Sequence, residues 1–231
     1  MSNGTLSRPW DTFDAYLFDI DGTLIHCTDA VHYFAFCSVL SFVAGKPINL
    51  DGVVTHGNTD VGILRDAFAL AGVPEDMWRL QLPEMRNMMC RFVNEKRQEI
   101  CVTVLPQVRR VLEHLSERGA KLGVATGNLE EIGKRKLEAA QILGMFHFGG
   151  WSDAFEHRSD VFRAAGQIAR FHAGRRAAIV VVGDTPADVQ AARRNGLEVI
   201  AVASGIYKLE ELQVEQPELC IGSFEELMPR G

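Results

Sequence analysis

An α/β fold, a doubly wound parallel sheet with an all-helical block inserted into it, is what this sequence predicts. Two observations lead there. Short, almost continuous apolar runs recur along the chain with helical patterns between them, and one long stretch breaks that alternation. The first run, Ala15-Tyr16-Leu17-Phe18-Asp19-Ile20, ends at Asp21-Gly22 and reads as a strand buried on both faces, as parallel sheets require. Similar runs recur at 121–125, 177–182 and 198–202. Between them, Val108, Val111, Leu112 and Leu115 share one helical face with Gly119 as a stop. Residues 132–142 and 161–171 read as two more helices, and a further one begins at Pro186 and ends near Asn195-Gly196. Strands alternating with helices imply βαβ units.

Residues from about 26 to 101 depart from this order. Helical patterns cover 30–44, 59–71 and 76–97, with glycine and proline between them. The expected division is therefore an α/β domain of residues 1–25 and 102–231, interrupted by a helical domain of residues 26–101. No internal repeat or low-complexity stretch is present, and residues 228–231 are expected to fray.

The bulk numbers narrow the function. With 231 residues, 47% hydrophobic and 23% charged, the chain suits one large domain or one carrying a smaller insertion. A net charge of −6 and a sequence pI of about 5.7, with scattered Lys and Arg, argue against a nucleic-acid partner. The five cysteines, Cys27, Cys37, Cys90, Cys101 and Cys220, include no C-x-x-C pair; they fit neither a disulfide framework nor a zinc site and suggest a reducing cytoplasm. The first residues lack the apolar region of a signal peptide. The longest apolar run, 30–44, is too short and too polar to span a bilayer, so no membrane association is expected.

Chemistry gathers at strand ends, where open α/β sheets bind ligands. In Asp19-Ile20-Asp21-Gly22-Thr23 the two acids sit at i and i+2 and face one place. In Val124-Ala125-Thr126-Gly127-Asn128 a hydroxyl, a glycine and an amide precede a helix expected at about Leu129, aiming donors at an anion. Read alone, Thr126 or Asn128 is more simply a helix cap. In Gly183-Asp184-Thr185-Pro186-Ala187-Asp188 the second acid falls one helical turn after the first, although acids there often serve only the helix dipole. Crowding Asp19, Asp21, Asp184 and Asp188 together is costly unless a hard divalent cation sits among the oxygens, and Mg²⁺ fits such a site.

The ordered set Asp19-x-Asp21-Gly22-Thr23, Thr126 and Gly183-Asp184-Thr185-Pro186-Ala187-Asp188 resembles the haloacid dehalogenase superfamily over nearly the whole chain, and its phosphoglycolate-phosphatase-like members in particular. The resemblance implies a Rossmann-like core, a mobile helical cap of the C1 type where the insertion lies, and phosphoryl transfer through an aspartate. It implies Asp19 as nucleophile, Asp21 as general acid and then base, and Thr126, with Gly127 and Asn128, as binders of the phosphoryl group. Mg²⁺ would be held by Asp19, the main-chain carbonyl of Asp21 and Asp184, with Asp188 in support.

The superfamily also supplies a lysine before the helix that precedes the Gly183 motif. Lys134 and Lys136 read as lying too early for it, on the helix after Asn128. Arg158 is the nearest cation at the expected place and is taken as the catalytic and phosphate-binding substitute. The competing reading is a surface arginine paired with Glu156 or Asp160. Substrate choice is expected from the cap, in the polar cluster Thr55-His56-Gly57-Asn58-Thr59-Asp60, with His56, Asn58 and Thr59 as contacts; Thr59 also reads as an ordinary N-cap. His26 and Cys27 are expected in the hinge, and Tyr33, Phe34, Phe36 and Phe42 read as cap core before dimer contact.

The function expected is hydrolysis of a small phosphorylated metabolite by a cytoplasmic monomer or homodimer. The nearest alternative is a phosphomutase of the β-phosphoglucomutase type. A dehalogenase is disfavoured by the presence of Asp21. A phospho-accepting or metal-binding signalling module, like a receiver domain, would lack the insertion and the Asp19-x-Asp21 pair.

Overall fold

The first apolar run becomes β1 (Ala15–Phe18), buried at every residue. Tyr16 and Phe18 enter one core and Ala15 and Leu17 another. A strand with two dry faces has no need of polar alternation, which is why the run is continuous. The computed structural model describes residues 5–228. The frayed end expected at 228–231 lies, apart from Met228, outside the described residues.

After β1 the chain makes β2 (Ile25–Cys27) and then four helices, α1 (Val31–Ala44), α2 (Asp60–Leu70), α3 (Glu75–Trp78) and α4 (Leu82–Glu95). It returns through β3 (Val102–Val104) to α5 (Val108–Glu117), β4 (Lys121–Ala125), α6 (Glu130–Ala139) and β5 (Phe148–Gly150). Then follow α7 (Arg158–Ala173), β6 (Ile179–Gly183), α8 (Pro186–Arg194), β7 (Glu198–Val202), α9 (Leu209–Val214) and β8 (Leu219–Ile221).

Six strands form a sheet in the order β5-β4-β1-β6-β7-β8, with all pairings parallel. The chain winds one way from β1 to β4 and β5 and the other way to β6, β7 and β8, so the topological switch lies at β1. Phe18 is in register with both Val124 and Val182. The residues that leave these three strands therefore emerge side by side. Helix α5 buries Val108, Val111, Leu112 and Leu115 against one face of the sheet. Helices α7 and α8 cover the other through Val161, Phe162, Ala165, Val189 and Ala192.

Helices α1 to α4 share an apolar cluster in which Phe36, Leu40, Leu64, Phe68, Trp78, Met85 and Met89 are buried. Leu129 and Ile132 belong to that same cluster, so the helices dock on the start of α6. Where the chain leaves for the insertion and where it returns, β2 and β3 pair antiparallel, with His26 opposite Thr103 and Cys27 opposite Val102.

Several expectations need correction. The single helix expected over 76–97 is broken into α3, a 3₁₀ turn and α4, which places Pro83 in the first turn of α4. A proline deeper inside would clash with a preceding carbonyl. Strands β5 and β8 were not expected; each has three residues, too few for a periodic signal. Of the aromatic cluster on α1, only Phe36 is buried, whereas Tyr33, Phe34 and Phe42 are exposed. That helix is apolar on most of its circumference, and only one side meets a partner. Among the described residues no helix is long and apolar enough to cross a membrane.

Candidate active site

The ends of β1, β4 and β6 deliver Asp19, Thr126 and Asp184 to one spot. Gly22 lets them meet. Its φ is +81°, and a Cβ there would overlap the Asp184 carboxylate, so the turn after Asp21 needs glycine both for its backbone and for its lack of a side chain. Thr23 Oγ1 donates to Asp184 Oδ1 at 2.8 Å and fixes that carboxylate.

Oxygens of Asp19, Asp184 and Asp188 lie within 4.8 Å of one another, all three residues buried. Burial, followed by repulsion from Asp188 and Asp21, outweighs the attraction of Arg158 and pushes Asp19 up to about 6. Burial and repulsion from Asp19 and Asp188 push Asp184 up to about 8. One guanidinium among three carboxylates leaves a charge of about two negatives, which a single divalent cation balances. The residues therefore fit Mg²⁺, with Asp19 and Asp184 as the carboxylates open to it. Asp188 is otherwise occupied. Its Oδ1 accepts from Arg158 Nε and Nη2 at 2.9 and 2.6 Å, and its Oδ2 accepts from Thr185 N and Oγ1 at 3.0 and 2.7 Å. Beyond the helix dipole it closes a capping box with Thr185 at the head of α8.

Arg158 is buried and bridges Asp188 to Asp19, with Nη2 2.8 Å from Asp19 Oδ2. The surface alternative is thereby overturned, since Glu156 pairs with Arg65 and Arg79, and Asp160 with Arg163. Burial alone would lower the guanidinium pKa, but Asp188 and Asp19 more than offset it and raise it.

The capping alternative for Thr126 and Asn128 also fails. Leu129 is the N-cap of α6, and the side chains that accept from the first N–H groups are those of Asp60 and Asp153. Asn128 Nδ2 instead donates to Asp21 Oδ2 at 2.9 Å and to Thr126 Oγ1 at 2.8 Å. Its Oδ1 accepts from Lys136 Nζ at 2.9 Å. Lys136 is the residue that sequence reasoning set aside as too early. It is buried, and its ammonium lies 2.9 and 2.7 Å from the two oxygens of Asp21. Burial raises Asp21, but the Lys136 charge and the bonds from Lys136 and Asn128 prevail and hold it below the usual carboxylate range. Lys134 meanwhile pairs with Glu130 at the surface. A readable signal did exist, because Lys136 shares the buried face of α6 with Ile132, Gly133 and Leu137. A charge on the apolar face of a helix needs a partner.

The polar cluster of the insertion meets these loops. Thr59 caps α2 by accepting from Gly62 N at 2.9 Å, and its hydroxyl donates to the Glu156 carbonyl at 2.7 Å. Asp60 N donates to the Gly127 carbonyl at 2.7 Å, and Asp60 Oδ2 accepts from Leu129 N at 2.8 Å. A Cβ on Gly127 would overlap the Asn58 carbonyl, so this glycine permits the close approach. The Asn58 amide is spent on Val54 and Asp66, while His56 lies exposed on the cavity rim. Cys27 also lines the cavity; burial pushes its thiol up to about 12, which makes it a poor nucleophile. The cavity is about 440 Å³, opens to solvent, and runs from Asp19 to the faces of α1 and α2.

Similarity to known proteins gives the family. The sequence profile of the haloacid dehalogenase-like hydrolases matches residues 16–202, and the chain belongs to that family. A phosphoglycolate phosphatase from Caulobacter vibrioides is 28% identical over 212 residues, which is 90% of this chain and 86% of its own. PpaX of Caldanaerobacter subterraneus subsp. tengcongensis, provisionally named a pyrophosphatase, is 26% identical over 93% of this chain and 92% of its own. The solved structure of a haloacid dehalogenase-like family hydrolase from Streptococcus pneumoniae shares the fold, with a TM-score of 0.64 at 21% identity over 94% of this chain and 97% of that one.

Proposed function

We propose that this protein is a Mg²⁺-dependent phosphatase of small phosphorylated metabolites that works through a phospho-aspartate on Asp19. The observation that carries the reading is the convergence of Asp19, Thr126 and Asp184 at one end of the sheet, beneath a partly open cavity large enough for a small molecule. Residues 26–101 are taken as the cap and the rest as the core.

In the first step a carboxylate oxygen of Asp19 attacks phosphorus and the bond to the leaving oxygen breaks. Thr126 and the loop through Asn128 bind the phosphoryl oxygens, and Arg158 offsets the repulsion between two anions. Mg²⁺ held by Asp19, Asp184 and the Asp21 carbonyl would supply further positive charge at the same point. In the second step water attacks the phospho-aspartate, and Asp21 takes its proton. Lys136 favours the ionised form of Asp21 that this step needs. The same pairing disfavours the acid half of its role, so the first step is easiest for oxygens that depart without a proton.

Activity should vanish with EDTA and return with Mg²⁺, and Asp184→Asn should weaken Mg²⁺ binding. Full activity after exhaustive chelation would sink the metal assignment. A second readout is thermal. Asp19 and Asp184 stand above the ordinary 3.8, at about 6 and about 8, so the unfolded chain releases these protons first. Metal-free protein should therefore melt lower as pH rises from 5.5 to 8.5 (~3 units), and Mg²⁺ should restore more of the Tm at the upper end. A Tm gain from Mg²⁺ that is flat across this range would contradict the crowding of carboxylates.

Lys136→Met keeps the apolar stem and removes the ammonium. It should lower kcat by about tenfold to a hundredfold and let the phosphoenzyme accumulate, with partial recovery in Lys136→Arg. A merely structural lysine would lower stability without changing which intermediate builds up.

A further inference from the structure

The geometry points to a phosphate ester whose alcohol is uncharged and carries an apolar ring, with no second anionic group. This rests on the phosphatase reading and narrows its substrate. Away from the acidic centre, the cavity is lined by Tyr33, Phe36, Leu50, Ile63 and Ile206, with His32 stacked on Phe36 at 4.8 Å. His32 Nε2 is buried and faces Asp60 Oδ2 at 3.2 Å. The volume of about 440 Å³ exceeds what a phosphoryl group alone needs.

Charge decides the rest. Lys136 and Arg158 are the lysine and arginine that line the cavity, and both are committed. Lys136 already meets both oxygens of Asp21 and the amide oxygen of Asn128. Arg158 is held between Asp19 and Asp188. The nearby Arg65 and Arg79 are outside the cavity lining and pair with Asp66, Glu75 and Glu156. A carboxylate or second phosphate on the leaving group would enter a partly dry space beside Asp21 and Asp60 with no uncommitted lysine or arginine among the described residues that line it. The histidines that line the cavity are His32, which faces Asp60, and His26 and His56, which lie exposed on the rim. The substrate thus differs in kind from phosphoglycolate or pyrophosphate, which the names of two relatives mention.

The test compares phenyl phosphate with 4-carboxyphenyl phosphate, using the full chain with Mg²⁺ at pH 8, where histidine seldom supplies the charge. The carboxyl group does not impair the leaving oxygen, so intrinsic reactivity does not favour the expected result. The kcat/KM for the carboxylated ester should be lower by about tenfold or more, and 2-phosphoglycolate and pyrophosphate should be poor substrates. Ile206 is exposed at the mouth of the cavity. Ile206→Arg should narrow or reverse the ratio between the two aryl esters, whereas Ile206→Gln should leave it in place. Equal turnover of both esters, or preference for the carboxylated one, would overturn the substrate class and leave the phosphatase reading standing. No turnover of any ester would overturn both.

Discussion

Asp19→Asn is expected to abolish turnover of p-nitrophenyl phosphate and, with it, any phosphoenzyme trapped by rapid acid quench. An amide cannot serve as the attacking oxyanion, and Asp21, the other acid of the motif, is bound to Lys136 and Asn128 instead. Asp21→Asn should behave differently. Attack on a substrate with a good leaving group is spared, but the base for the second step is gone, so the phospho-aspartate accumulates and can be found by mass spectrometry. Misfolding is a poor explanation for the loss in Asp19→Asn. Asp19 is raised to about 6 by burial and neighbouring acids, so removing its charge relieves repulsion, and metal-free Asp19→Asn should melt no lower than wild type. Substantial turnover by Asp19→Asn would mean the covalent mechanism is wrong.

The next largest effect is expected from Arg158→Ala, with kcat falling by roughly 10²–10³ as an electrostatic partner of the transferring group is lost. Burial adds a consequence for stability. With the guanidinium gone, Asp188 and Asp19 are left in a dry site without their cation, and removing one partner of a buried pair typically costs about 3–5 kcal/mol. The variant should therefore melt well below wild type, and Mg²⁺ should recover part of the difference. Arg158→Lys should restore some activity, limited because an ammonium cannot reach Asp19 and Asp188 with separate planar donors. Kinetics on the folded fraction, checked by circular dichroism at low temperature, separate the two effects. Wild-type kcat in folded Arg158→Ala would remove this residue from the chemistry.

Asp19, Asp184 and the strands beneath them were legible in the sequence because the signals are local. A strand dry on both faces writes a continuous apolar run, and the acid that ends it stands at the ligand-binding edge whatever the rest of the chain does. The family resemblance then joined three such ends into one site. What depended on tertiary structure were the partners of the charges. Arg158 could be placed near the site by position, but only the approach of α7 to α8 decided that it meets Asp188 and Asp19 in place of Asp160. Lys136 was set aside because its motif position was wrong, yet α6 docks so that its buried face delivers the ammonium to Asp21. The short edge strands β5 and β8 owe their existence to a neighbour already in place, and the exposure of Phe34 and Phe42 to the lack of one. Periodicity states which face of an element is apolar, but an ion pair between residues about 115 positions apart (Asp21 and Lys136) is set by how whole elements pack, and no local pattern records that.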